Sequence, residues 1–160
     1  MTIKVGDKIP EATLMTPTAE GPKPVSTTDL FKGKTVALFS VPGAFTPTCS
    51  AKHLPGFIDN ADKLKAKGVD EIVCMSVNDA FVMGAWSKSA GADGTVTMVG
   101  DGNADFAKAL GLTMDGTKIG FGTRSQRFSA IVKDGVVQAL NVEEPGAFKV
   151  SSAEHMLEQL

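Results

Sequence analysis

TVALFSVPGAFTPTCS, residues 35–50, changes character twice along its length. Residues 35–41, TVALFSV, are a nearly continuous apolar run rich in strand formers, the pattern of a strand buried on both faces. A Pro-Gly break follows at Pro42-Gly43. Thr46-Pro47 then supplies a helix-capping side chain and a residue shaped for the first helical position. The order strand, tight loop, helix start is the opening unit of an α/β fold. It sets Cys49 at the third helical position, inside the first turn. Backbone N–H groups there lack partners within the helix, and the helix dipole favours an anion. A thiol so placed is expected to ionise more readily than a free one, whose pKa is ~8.5.

The pattern continues in both directions. Leu54, Phe57, Ile58, Ala61 and Leu64 recur at helical spacing, with Pro55 expected to kink the helix and Lys63, Lys65 and Lys67 on its solvated side. EIVCMSV at 71–77 reads as a second buried strand. A helix capped by Asn78 or Asp79 runs to about Ser89 and ends at Gly91. VTMVG at 96–100 is a third strand and residues 103–110 a short helix. RFSAIV at 127–132 and VVQALNV at 136–142 flank Asp134-Gly135, a hairpin signal. SSAEHMLEQL closes as an amphipathic helix capped by Ser151 or Ser152. Residues 10–28, rich in Pro, Thr and Gly, read as loop with some short strand, and the Gly-rich stretches GDGNAD at 100–105 and GFGTRS at 120–125 as turns. The expected fold is α/β and thioredoxin-like, a mixed central sheet with helices on both faces. Residues 1–160 form one expected domain, with no repeat or linker.

Composition narrows the function. A formal net charge of −2 gives no electrostatic basis for nucleic-acid binding. No run approaches the ~18 apolar residues of a membrane span. MTIKVGDKIP lacks the apolar core of a secretory signal. Two cysteines make no disulfide scaffold, so a reduced, cytoplasmic setting is expected. Cys49 and His53, four residues apart, offer two metal ligands, but no Cys/His cluster completes a site. Neither metal nor cofactor is expected.

Cys74 lies mid-strand and reads as packing, with a pairing to Cys49 as its functional alternative. A dithiol reductase would carry Cys-x-x-Cys; this chain has Thr46-x-x-Cys49. Its cysteine is built to attack a substrate and be rescued by something else. His53, one turn beyond Cys49, reads as packing or orientation.

Pro42-x-x-x-Thr46-x-x-Cys49 resembles the active-site signature of the peroxiredoxins, and VPGAFTPTCS-x-x-HLPGF that of their type II, or fifth, class. KVGDKIP near the start, FKGK at 31–34, SVNDAFV at 76–82, RFSAIVKDG at 127–135 and ALNVEEPG at 139–146 extend the likeness along the chain. The resemblance implies a thiol peroxidase acting on hydrogen peroxide and small organic hydroperoxides. Cys49 would become a sulfenic acid, Thr46 would orient thiolate and peroxide, Pro42 would shield the pocket and Arg127 would supply the guanidinium. It also implies a homodimer packed near the active-site loops. Without the resemblance, Arg127 at a strand start reads as a surface charge, and Arg124 is close enough in sequence to be a decoy.

A lowered pKa alone gives little rate. A fall from ~8.5 to ~6 raises the thiolate fraction at pH 7 roughly 30-fold. Nucleophilicity falls with a Brønsted slope of ~0.4–0.5 and returns about tenfold or more of that gain. Fast reduction therefore needs donors on the departing oxygen, the task expected of Arg127 and Thr46. Some relatives resolve the sulfenic acid with a second cysteine near the C-terminus. Here PGAFKVSSAEHMLEQL has none. The expectation is a one-cysteine cycle reduced by glutathione with glutaredoxin, or by thioredoxin. A rival expectation is a redox sensor or relay, in which Cys49 oxidation alters a partner contact.

Overall fold

The apolar run at 35–41 is β3 (Thr35–Val41), an interior strand of a seven-stranded sheet in the computed structural model, which describes residues 2–160. The other strands of this sheet are β1 (Thr13–Thr18), β2 (Gly21–Ser26), β4 (Glu71–Ser76), β5 (Thr97–Gly100), β8 (Phe128–Lys133) and β9 (Val136–Val142). Their order is β2-β1-β5-β4-β3-β8-β9. β3, β4 and β5 run parallel, and the remaining pairs are antiparallel. A separate small hairpin joins β6 (Thr113–Gly116) to β7 (Gly122–Ser125). The helices are α1 (Thr27–Phe31), α2 (Leu54–Asp59), α3 (Ala61–Ala66), α4 (Ala80–Ala90), α5 (Asp105–Leu110) and α6 (Ala153–Gln159).

Strand alternation divides the interior into two cores. Ala37, Phe39 and Val41 of β3, Ile72 and Cys74 of β4, and Ile131 of β8 face one side, packed against α2, α3, α4 and α6. Val36 and Leu38, Val73 and Met75, and Phe128, Ala130 and Val132 face the other, covered by α1 and α5. Both faces of β3 and β4 are therefore buried, which is why their sequences are apolar throughout. The same period sets Arg127, which precedes β8, on the side of Ser129 and Ile131.

The short strand expected within residues 10–28 is a full β1–β2 hairpin, followed by the start of α1. Pro17, Pro22 and Pro24 argue against a central strand, but β2 lies at the sheet edge and pairs only with β1. A missing N–H costs no ladder bond on the open side of an edge strand. GFGTRS departs from the turn reading, since Gly122–Ser125 is β7. The facing Gly116 on β6 has no room for a side chain: a Cβ there would lie 2.5 Å from Phe121 Cβ. Asp79, not Asn78, caps α4, accepting from Val82 N at 2.9 Å. Gly91 ends it with φ 72°. Ser152 caps α6, accepting from His155 N at 3.1 Å. Asp134 and Gly135, at φ 49° and 79°, make the β8–β9 turn read from their sequence.

The expected kink at Pro55 takes another form. Pro47 begins a helical turn, which widens into a π turn over Cys49–His53 before α2 starts. Leu54 N donates to Cys49 O, a five-residue step. Pro55, having no N–H, falls in the first turn of α2. A second break at Asn60 separates α2 from α3.

Candidate active site

Cys49 lies at the end of the loop that leaves the carboxyl end of β3, and its side chain is fully buried. Two side chains converge on its sulfur, and a third element holds one of them. Thr46, one helical turn earlier, puts Oγ1 2.8 Å from Sγ and 2.7 Å from the Gly43 carbonyl oxygen. That carbonyl can only accept. With a thiol at position 49, the S–H donates to Oγ1 and the hydroxyl donates to Gly43. With a thiolate, one hydroxyl proton serves two acceptors. Arg127 reaches across from the start of β8, and its Nη2 donates to Sγ at 3.0 Å. The π turn supplies the third element, turning His53 toward the same guanidinium.

His53 fixes that guanidinium. Arg127 Nη1 donates to His53 Nδ1 at 2.8 Å, so Nδ1 carries no proton. The other nitrogen, Nε2, therefore bears the hydrogen and donates to the Ser151 carbonyl at 2.9 Å. Phe39, Phe57 and Phe148 surround the ring with centroids 4.8, 5.7 and 5.0 Å away. Burial, together with the Arg127 charge, lowers the His53 pKa to about 3. The ring is neutral at physiological pH and serves as an acceptor for arginine. Both nitrogens are engaged, so His53 has no lone pair to join Cys49 on a metal.

The loop before the helix is held from outside. Arg124 on β7 donates from Nη1 to the Pro42 carbonyl at 3.2 Å and from Nε to the Phe121 carbonyl at 3.0 Å. Arg127 was the guanidinium expected from the resemblance, with Arg124 close enough in sequence to be a decoy; the structure puts Arg127 on the sulfur and Arg124 on the loop backbone. Pro42 thus joins the site through its carbonyl. Gly43 is required by crowding, because a Cβ there would lie 2.9 Å from Arg124 Nη1 and 3.1 Å from Thr46 Cγ2. Phe45 sits at φ 65°, a left-handed conformation that a bulky residue adopts under strain. Asn78 Oδ1 accepts from Ala44 N at 3.0 Å and from Ser76 Oγ at 2.6 Å, tying the loop to the end of β4. Trp86 Nε1 donates to Ser50 Oγ at 3.1 Å, anchoring the π turn to α4. Asn78, Trp86 and Arg124 belong to the site without showing a signature in sequence, since each acts through a backbone or a neighbour.

Cys74 shares the face of β4 that meets the Cys49 core. It is fully buried between β3 and β5, and burial, with the neighbouring Cys49 adding to it, pushes its thiol well above the usual range. Both cysteines are free thiols.

A buried sulfur flanked by a hydroxyl and a fixed guanidinium on a thioredoxin-like sheet is a site for thiol redox chemistry without a local dithiol. The sequence profile of the Redoxin family matches residues 4–157. The chain is 54% identical over 164 residues to the chloroplastic peroxiredoxin-2E-2 of Oryza sativa subsp. japonica, covering 99% of this chain and 73% of that one. It superposes on the reduced Prx3 of Vibrio vulnificus in complex with hydrogen peroxide with a TM-score of 0.95 at 53% identity, covering 99% of each chain. A Burkholderia cenocepacia structure, provisionally described as a thioredoxin reductase, gives a TM-score of 0.98 at 47% identity, covering 100% of this chain and 99% of that chain. That description does not suit this chain, which has a threonine where a dithiol reductase has its first cysteine.

The chain belongs to the redoxin family, within its type II, or fifth, class of peroxiredoxins. It is a thiol-dependent peroxidase.

Proposed function

We infer that Cys49 is the sulfur that reduces hydrogen peroxide and small organic hydroperoxides. The observation that carries this reading is the meeting of Thr46 Oγ1 and Arg127 Nη2 on Sγ, at 2.8 and 3.0 Å. The Cys49 thiolate attacks the terminal peroxide oxygen. An S–O bond forms, the O–O bond breaks, and the departing oxygen leaves with the electron pair and takes a proton, giving Cys49 sulfenic acid and water or an alcohol. Arg127 stays positive throughout and meets the charge that grows on the departing oxygen. Thr46 holds the peroxide in line with the sulfur. Pro42 shields the pocket, and His53 holds Arg127 in place. Likeness to a relative solved with hydrogen peroxide supports this substrate.

The cycle uses one cysteine. Cys74 is fully buried in the interior strand β4, closed off from solvent and from peroxide. Its raised pKa also leaves it a neutral thiol. An external thiol, glutathione delivered with glutaredoxin or else thioredoxin, condenses with the sulfenic acid and clears it before further oxidation. The setting expected for such a cycle, with both cysteines free, is reducing and cytoplasmic. The protein works as a homodimer, packed near the active-site loop, where Phe45 is 51% exposed, with Phe81 on α4 72% exposed.

The test is peroxide consumption with the glutaredoxin and thioredoxin systems side by side, with Cys49→Ser as control. Turnover with at least one system, abolished by Cys49→Ser, is expected. Turnover surviving the substitution would end this assignment. Intact mass after one equivalent of peroxide separates the cycles: gain of one oxygen marks a sulfenic acid, loss of two hydrogens a Cys49–Cys74 bond.

A further inference from the structure

We propose that Glu143 is a positioning residue for Arg127, acting through Ser151 and His53 to keep the guanidinium on the Cys49 sulfur. The proposal rests on the reading of Arg127 as the donor to the breaking peroxide.

The chain of contacts is continuous. One carboxylate oxygen, Glu143 Oε2, accepts from Lys149 N at 2.7 Å, Val150 N at 2.9 Å, Ser151 N at 2.8 Å and Ser151 Oγ at 2.7 Å. Three successive backbone N–H groups with a hydroxyl make a cradle for an anion. The residue is only 6% exposed. Burial pushes its carboxyl up, but the bonds from Ser151, Lys149 and Val150 outweigh it and hold the pKa below the usual range. With its N–H and hydroxyl fixed, Ser151 aims its carbonyl at His53 Nε2–H, 2.9 Å away. His53 Nδ1 accepts from Arg127 Nη1, and Arg127 Nη2 meets the sulfur.

Two further contacts tie the same loop to the same arginine. Phe148, one residue before the cradle, packs on His53 and lies 5.9 Å from the guanidinium carbon. Glu143 N donates to the Arg127 carbonyl at 3.0 Å. Glu143 therefore fixes Arg127 at its backbone directly and at its side chain through the loop. The negative charge matters, because one oxygen serves four donors. A glutamine accepts through a neutral, weaker oxygen, which holds the same four donors less firmly.

A residue that merely folds the 148–151 loop would cost stability and nothing specific to the arginine. The experiment is a double-mutant cycle of Glu143→Gln with Arg127→Met, read as the single-turnover rate of Cys49 oxidation by hydrogen peroxide in rapid quench. Glu143→Gln is expected to slow oxidation by about tenfold in the parent, since small displacements of a fixed donor carry such costs. In the Arg127→Met background the loss shrinks to about twofold or less, because there is no guanidinium left to misplace. Nitrogen-15 NMR of His53 should show the Nε2–H form in the parent and a mixture of tautomers in Glu143→Gln. A folded Glu143→Gln protein with the parental rate, or equal losses in both backgrounds, overturns the proposal. If Glu143→Gln does not fold, Ser151→Ala removes the hydroxyl contact alone and enters the same cycle with a smaller expected loss. Parental speed in Arg127→Met would instead overturn the reading of Arg127 itself, and this proposal with it. A slow Arg127→Met beside a normal Glu143→Gln refutes the proposal alone.

Discussion

The Arg127 guanidinium gives one nitrogen to the Cys49 sulfur and another to the His53 ring. Replacing it with methionine keeps much of the side chain's bulk and removes both charge and donors. Arg127→Met should lower the peroxide rate constant by about 10²–10³-fold, as for loss of an oxyanion donor, measured by single-turnover oxidation. Its partner carries a pH signature. His53 titrates near 6.5 in the unfolded chain and at about 3 in the native protein. Below pH 6.5 the unfolded state binds a proton that the native state refuses. The stability His53 contributes is thus complete above 6.5 and is lost as pH falls toward 3. Urea unfolding should show stability falling by up to about 1.4 kcal/mol per pH unit between pH 6 and 5. His53→Gln should flatten that slope. An unchanged slope would mean that the ring is not held neutral. Cys49 and Thr46 were legible from their spacing and place in the chain. The geometric role of His53 was not, because its partners are 74 and 98 residues away in sequence.

The π turn decides how the first helix presents its side chains. It lets Leu54 N bond back to Cys49 O, and Pro55 withholds the next donor. With alanine at 55, an N–H becomes available to Ala51 O, and a regular α-helical register can compete. Pro55→Ala is expected to slow peroxide reduction by about threefold or more with less than about 1 kcal/mol change in stability, read by stopped-flow and urea unfolding. Continuous apolar runs made β3 and β4 readable, and Asp134-Gly135 made the β8–β9 hairpin readable. The π turn has no comparable sequence period. β1 and β2 were read only as some short strand without bounds, because proline argues against a strand until the strand is known to lie at an edge. β6 and β7 span four residues each and include glycines, too short for alternation to show.

Across the whole molecule, the sheet separates two cores, and the chemistry sits against one of them. Phe45 in the active-site loop and Phe81 on α4 are both exposed, and the proposed second copy would cover them. Phe81→Glu should shift the protein toward monomer in sedimentation velocity at micromolar concentration. A wholly unaltered distribution would move the interface elsewhere. Global order was legible because strands and helices alternate along the chain. Convergence of Cys49, Arg127 and Glu143 was not, because it depends on which strands become neighbours. The hydrogen bond from Trp86 to Ser50 has a practical outcome. Trp86 is the sole indole in a chain without tyrosine, and it touches the residue next to the reacting sulfur. Its ultraviolet emission therefore has no tyrosine background and arises beside the chemistry. The untagged protein carries a built-in optical gauge of the state of its sulfur, readable in real time without a dye.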